Sequence, residues 1–198
     1  LNFERIAAIY EFENPMGVIV SVGGQTPNNR AQSLFKYGVH ILGTSPANID
    51  RAEDREKFSN LLDTLKIKQP AWKAFTTLQA AEQFAREVGY PVLIRPSYVL
   101  SGSAMNLCFT DKDLEQYLQE ATKVSQEYPV IVSKFFNNAK EIELDAVAQN
   151  GDIKAFVIAE HVENAGVHSG DATIILPTQK VNDETKEKMI VAATDLAK

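Results

Sequence analysis

Asn150-Gly151 separates two runs of β character, EIELDAVA before it and IKAFVIAE after it. Asn-Gly suits the two left-handed positions of a tight hairpin turn, so this stretch is constrained to two antiparallel strands. In the first strand Ile142, Leu144, Ala146 and Ala148 alternate with Glu143, Asp145 and Val147. A loop HVENAGVHSGD, a strand ATIILP and a helix from about Asn182 follow, which predicts the start of an antiparallel sheet with helices on one side.

The N-terminal part obeys a different rule. GVIVSV (17–22) is a short apolar run ending at Gly23-Gly24, the pattern of a strand buried on both faces. A short helix to about Tyr37 follows, with Gly38 as its stop, and then a second strand, VHILGTS. Strand, helix and strand in so few residues predict a parallel, right-handed βαβ unit. From Asp50 to about Leu65 the spacing of Ala52, Phe58, Leu61, Leu62 and Leu65 predicts one helix, and Gln69-Pro70 reads as a linker.

A middle unit begins at Thr76, which forms a capping-box pattern with Gln79. Leu78, Ala81, Phe84, Ala85 and Val88 share a helical face up to Gly89. Strand PVLIR, loop PSYVLSGSAM and strand NLCFT come next. A helix capped by Thr110 or Asp111 then presents Leu114, Tyr117, Leu118, Ala121 and Val124, and strand VIVSKF ends the unit. The predicted order is α-β-loop-β-α-β, a small α+β subdomain around a glycine loop.

Composition narrows the function classes. The 198 residues carry 20 Lys+Arg and 26 Asp+Glu, a formal charge of −6, so no basic stripe points to nucleic acid or to an anionic membrane. No apolar stretch approaches the length of a transmembrane helix. The single Cys108 allows no internal disulfide, fits a reducing compartment, and sits in an alternating run as a core residue would. The chain opens at Leu1 with a helical pattern under way and closes at Lys198 inside another. Neither end resembles a signal peptide, and the reading is of a piece of a longer polypeptide.

Three clusters can carry chemistry. Arg95 ends the strand leading into the small-residue loop Ser97–Met105, whose backbone N–H groups and guanidinium suit phosphate oxygens. A plain hairpin connection is the competing explanation, and the loop is not a Walker A sequence. Ala165–Asp171 (AGVHSGD) gathers two Gly, a His, a Ser and an Asp. His168 there can donate to a phosphate or an adenine edge, or it can be a solvated turn residue. In SKFFNNAKEIELDA, period 2 puts Glu141, Glu143 and Asp145 on one strand face, either as a solvated surface or as ligands of ribose hydroxyls or a cation. His161 and His168 lack the further ligands a zinc site needs, and no nucleophile-elbow sequence supports serine hydrolysis.

Taken together, GVIVSVGGQTPNN, GTSPANIDRAEDREKF, GYPVLIRPSYVLSGSAM, SKFFNNAKEIELDAVA and EHVENAGVHSGDATIILP closely resemble the large subunit of carbamoyl phosphate synthetase. The resemblance covers essentially the whole chain. That subunit is built from two homologous ATP-grasp halves. The first carries motifs like RPSF-x-x-G-G-x-G-G and G-(I/M)-H-T-G-D, whereas RPSYVLSGSAM and GVHSGD match the second, carbamate-phosphorylating half.

The resemblance implies an ATP-grasp fold, truncated, and preceded by the end of a Rossmann-like pre-ATP-grasp domain, in mixed α/β and α+β style. Residues 1–50 would be the pre-ATP-grasp part, 51–75 a helical linker, 76–135 the lid with its glycine loop, and 136–198 the start of the large subdomain. ATP is held between lid and large subdomain in this family.

Residue by residue, Arg95 falls on the phosphate-contacting Arg, and Arg55 of the AEDR motif on a further one. Lys134 and Phe136 fall on the hinge strand beside adenine, and Glu141 on the ribose-binding carboxylate. Gly166, Val167, His168 and Ser169 fall on the loop that closes around the nucleotide. His161 and Glu163 fall where the family places potassium. Only the backbone role of Lys134 carries over, because that position varies in the family.

The implied cofactors are ATP, Mg²⁺ (or Mn²⁺) and K⁺, with the family's magnesium ligands downstream of Lys198 and therefore not in this chain. The implied substrates are ATP and carbamate, for pyrimidine or arginine biosynthesis. The implied partners are the rest of the large subunit and a glutamine amidotransferase subunit or domain, in the cytoplasm or alternatively in mitochondria. These 198 residues alone are expected to be inactive. The alternatives are another ATP-grasp carboxylase or ligase, and a non-catalytic nucleotide-binding module.

Overall fold

The computed structural model describes residues 1–96, 105–124, 129–167 and 170–198. The chain forms two compact units, Leu1–Leu61 with Ala71–Ser133, and Leu62–Pro70 with Lys134–Lys198.

The first unit opens with helix α1 (Phe3–Glu13), whose Asn2 cap accepts the Arg5 N–H at 3.1 Å. Strands β1 (Val18–Ile19) and β2 (Ile41–Leu42) pair in parallel, as the βαβ pattern predicts. Two short helices, α2 (Gln25–Asn28) and α3 (Ala31–Lys36), make the crossover where one helix was expected. The strands are also shorter than the apolar run. Val20 is buried but Ile19, on the other face, is exposed, so the run is not covered on both faces. In the described residues β1 has only β2 beside it, and one neighbour cannot enclose six residues of strand. Val20, Ala31, Leu34, Val39 and Ile41 form this region's core.

The predicted single helix from Asp50 is two helices, α4 (Pro46–Glu53) and α5 (Arg55–Thr64). Ser45 caps the first with Pro46 in its opening turn, a start signal that the apolar spacing had masked. At Asp54 the backbone turns extended, and its carboxylate accepts the Lys57 N–H at 3.0 Å. The Asp side chain thus competes with the helix ladder and restarts it.

The remainder of this unit is a four-stranded sheet of β3 (Trp72–Phe75), β4 (Val92–Pro96), β5 (Asn106–Cys108) and β6 (Val130–Lys134), in the order β3-β6-β4-β5. Strand β3 was not expected. It lies in four residues next to a linker and is recruited by antiparallel pairing with β6, Trp72 against Ser133 and Phe75 against Val130. Helices α6 (Leu78–Val88) and α7 (Asp111–Val124) pack on the sheet. The expected Thr76–Gln79 capping box does not form; the turn out of β3 leaves Thr77 as the cap, without a side-chain bond. At α7 a capping box does form. Thr110 Oγ1 accepts the Asp113 N–H at 3.2 Å and Asp113 accepts the Thr110 N–H at 3.0 Å. Val92, Ile94, Cys108, Leu114, Val130 and Val132 are the centre of the core under the two helices.

The second unit is the antiparallel sheet β7-β8-β9, from β7 (Lys140–Gln149), β8 (Asp152–Asn164) and β9 (Ile174–Ile175), with helix α8 (Asp183–Ala197) against the hairpin. Asn150 and Gly151 take φ of 53° and 82°, the pair of left-handed residues the turn requires. Asn182 caps α8 through the Thr185 N–H at 2.8 Å. Among the described residues of this unit only Ala159 and Val181 are buried apolar side chains, while Val147, Phe156 and Val157 are exposed. No described helix is long and apolar enough to cross a membrane.

Candidate functional site

In the first unit, Val92 and Ile94 of β4 face the helices with Val130 and Val132 of β6. Strand alternation therefore turns Arg95 and Ser133 to the opposite sheet face. There Arg95 Nη2 donates to the Ser133 hydroxyl at 3.4 Å. Its Nε is buried and has no hydrogen-bond partner among the described residues.

Arg55, the first residue of α5, points Nη2 at Met105 Sδ at 3.8 Å. Burial lowers the pKa of Arg95, and the like charge of Arg55 lowers it further. Burial lowers that of Arg55 too, partly offset by Glu53. Glu53 is itself held by Asn28, which donates to it at 2.7 Å. Arg55 is thus near enough to Arg95 for their like charges to be felt, where β4 leaves for the glycine loop. An anion bound here would gain charge-assisted hydrogen bonds and relieve that repulsion. The loop itself, including Ser101–Ser103, lies outside the described residues.

The second unit distributes the other expected site residues. Lys134 ends β6, Phe136 is exposed, and Glu141 is half-buried on β7. Glu141 sits where the β7–β8 register shifts, between Lys140 and Ile142. From Ile142 to Val147 pairing is residue for residue, so Glu143 and Asp145 share one face as alternation predicts. Gly166 adopts φ 115° and Val167 is exposed. His168 and Ser169 lie outside the described residues.

His161 is buried on β8, with Nε2 3.3 Å from Glu143 Oε2 but not aligned for a hydrogen bond. Neither of its ring nitrogens has a hydrogen-bond partner among the described residues. Glu163 accepts the Thr173 N–H at 2.8 Å and the Thr173 hydroxyl at 3.0 Å, and these donors hold its carboxyl below the usual range. Among the described residues no three His, Cys, Asp or Glu side chains converge as a metal site.

Several polar residues of these two regions escaped the sequence reading. Ser133 looked like one polar residue in an apolar strand. Glu160 is buried, pairs with Lys140, and accepts the Gln179 and Lys180 N–H groups, both at 2.8 Å. These donors push its carboxyl down to about 2, with Lys140 the largest contributor. Nothing in the spacing of Lys140 and Glu160 announces the pair, because it joins two strands across a register shift, with Glu160 opposite Ile142 and Lys140 opposite Asn164.

Comparison with known proteins gives this geometry a context. Residues 54–198 match the family profile described as the carbamoyl-phosphate synthase L chain, ATP binding domain, and residues 1–51 match the carbamoyl phosphate synthase preATP-grasp domain. Over all 198 residues the chain is 56% identical to the multifunctional protein URA2 of Saccharomyces cerevisiae, of which it covers 9%. It is 55% identical to the mitochondrial carbamoyl-phosphate synthase (ammonia) of Rattus norvegicus, of which it covers 13%. The chain thus spans only a small part of the length of these relatives.

Among solved structures, the biotin carboxylase domain of Hydrogenobacter thermophilus 2-oxoglutarate carboxylase superposes with a TM-score of 0.80 at 18% identity, over 98% of this chain and 44% of that one. That protein was solved with MgADP, ADP and bicarbonate. D-alanyl-alanine synthetase A of Vibrio cholerae superposes with a TM-score of 0.75 at 17% identity, over 92% of this chain and 59% of that one. At such identities these two likenesses speak for the fold alone. The profile match across residues 54–198 speaks for descent: the chain has the ATP-grasp fold and belongs to the carbamoyl-phosphate synthase large-chain family.

Proposed function

We propose that the chain is part of a longer carbamoyl phosphate synthetase large subunit, from its second ATP-grasp half, which transfers the γ-phosphoryl of ATP to carbamate. The observation that carries this is the Arg95–Arg55 pair at the mouth of the glycine loop, with the Arg95 Nε buried and unpartnered among the described residues. A polyphosphate answers both features at once. RPSYVLSGSAM and GVHSGD are the motifs that favour the second half over the first.

In this reading residues 1–50 end a pre-ATP-grasp domain, 51–75 link, 76–135 form the lid, and 136–198 begin the large subdomain. Arg95 and Arg55 hold phosphate oxygens and neutralise charge as it develops on the transferred group. The glycine loop supplies backbone N–H groups and excludes water from the labile carbamate. Lys134 and Phe136 flank adenine, Glu141 binds the ribose hydroxyls, and Gly166, Val167, His168 and Ser169 close over the nucleotide.

Magnesium, when bound, would neutralise phosphate charge, and its ligands would come from other parts of the subunit. K⁺ beside His161 and Glu163, a glutamine amidotransferase partner, a cytoplasmic or mitochondrial location, and supply to pyrimidine or arginine synthesis complete the proposal.

The test is the partial back reaction, ATP formation from carbamoyl phosphate and ADP, in the full-length protein. Arg95→Met is expected to lower kcat/KM by roughly a hundredfold or more, the cost of losing a charge-assisted contact to the transferred group. Unchanged back-reaction kinetics would overturn the assignment. Nucleotide binding with no phosphoryl transfer by the unaltered protein would favour a non-catalytic module. The 198 residues alone are expected to show no ATP hydrolysis above background in a coupled assay for released ADP.

A further inference from the structure

Arg95 faces two difficulties that its neighbours must solve. A guanidinium on a long, rotamer-rich side chain needs something to fix its direction, and here the like charge of Arg55 repels it. Only one hydrogen bond from it is seen among the described residues, to the hydroxyl of Ser133. Ser133 is well placed to hold it. The residue is 4% exposed, it sits on β6 beside β4 in the sheet, and antiparallel pairing with Trp72 clamps its backbone. Ile131 and Val132, which precede it in β6, are both fully buried, so a hydroxyl here is costly unless it has a partner.

We propose that Ser133 is a positioning residue. Its hydroxyl oxygen accepts from Arg95 Nη2 and thereby sets the direction of the guanidinium, leaving Nε and the remaining donors for the anion. This rests on the reading of Arg95 as a phosphate contact and extends it to a side chain that touches no substrate. A hydroxyl is the appropriate acceptor. A carboxylate at the same place would neutralise Arg95 and compete with the phosphate, whereas a neutral oxygen orients the cation and leaves its charge available.

The experiment is a double-mutant cycle in the full-length protein, read as kcat/KM of the back reaction from carbamoyl phosphate and ADP. Ser133→Ala is expected to lower kcat/KM roughly tenfold, the size of a hydrogen bond to a charged group. Ser133→Cys, which keeps the volume but accepts poorly, should lose about as much, and Ser133→Thr, which keeps the hydroxyl, should recover most of the activity. In an Arg95→Met background the Ser133→Ala loss should shrink to about twofold or less, because the residue through which it acts has gone.

Equal losses in both backgrounds, or no loss in the Ala and Cys variants, would overturn the positioning role while leaving the reading of Arg95 intact. Wild-type kinetics in Arg95→Met alone would overturn that reading and the positioning role with it. Because Ser133→Cys preserves packing, its result decides the matter even if Ser133→Ala fails to fold.

Discussion

The two units treat buried charge in opposite ways. In the first, Arg95 and Arg55 are partly desolvated, which lowers the pKa of each, and the charge of Arg55 lowers that of Arg95 further. In the second, Glu160 is almost fully buried yet saturated by Lys140 and two backbone N–H groups, and its carboxyl is held near 2. The difference lies in satisfaction: the Arg95 Nε is buried with no hydrogen-bond partner among the described residues, whereas the Glu160 carboxylate has its donors in place. The units differ in apolar support as well. The four-stranded sheet of the first unit has a continuous core under α6 and α7, whereas the second unit has two buried apolar side chains among its described residues.

This contrast can be sharpened first on the apolar side. Leu114 is fully buried in the core between α7 and the four-stranded sheet, and Leu114→Ala should cost about 3 kcal/mol by urea denaturation. Val147, exposed near the hairpin turn, should tolerate Val147→Thr within about 0.5 kcal/mol in the same assay. A loss at Val147 as large as that at Leu114 would mean that the second unit has a core its exposed side chains conceal.

Glu160→Gln tests the satisfied carboxylate. It removes the charge that Lys140 and the Gln179 and Lys180 N–H groups satisfy, and it should lower the melting temperature by roughly 5 °C or more at pH 7. The sign of the pH dependence follows from the depressed carboxyl. Its stabilisation is complete above the ordinary value of 4.5 and is lost as pH falls toward about 2. Acid titration of the melting temperature should therefore be shallower in Glu160→Gln over that window. Equal slopes would show that Glu160 contributes no such stabilisation.

The largest effect expected on function comes with only a small effect on stability. Arg95→Met, so damaging to the back reaction, should change folding stability by no more than about 1 kcal/mol. Removing an under-neutralised cation relieves desolvation and the repulsion from Arg55, which offsets the lost bond to Ser133. A loss of stability comparable to Leu114→Ala would move Arg95 into the same class as Glu160 and erase the contrast.

Much of the fold was legible because local chemistry decided it. Asn150-Gly151 specified its hairpin, Gly38 its helix stop, Thr110 its cap, and the parallel pairing of β1 and β2 followed from the βαβ spacing. The failures share one cause. Strand β3, the break at Asp54 and the cap at Thr77 depend on a partner or a competing side chain that periodicity does not represent. The candidate site divides in the same way. Arg95, Arg55, Glu141 and the AGVHSGD loop stand out by motif, but Ser133 and the Lys140–Glu160 pair do not.

By itself the sequence determined which segments alternate and which coil, where the chain must turn, and which family its motifs place it in. Those are properties of residues within a few positions of one another, or of long motifs held in order. Only the tertiary structure decided that Ser133 and Arg95, 38 residues apart, would meet on the sheet face opposite α6 and α7. It also decided that Arg55 would be close enough to Arg95 to perturb it, and that Lys140 would reach Glu160 across a register shift. The physical reason is that electrostatics and hydrogen bonding depend on distance in space and on exclusion of water, and neither can be counted along the chain.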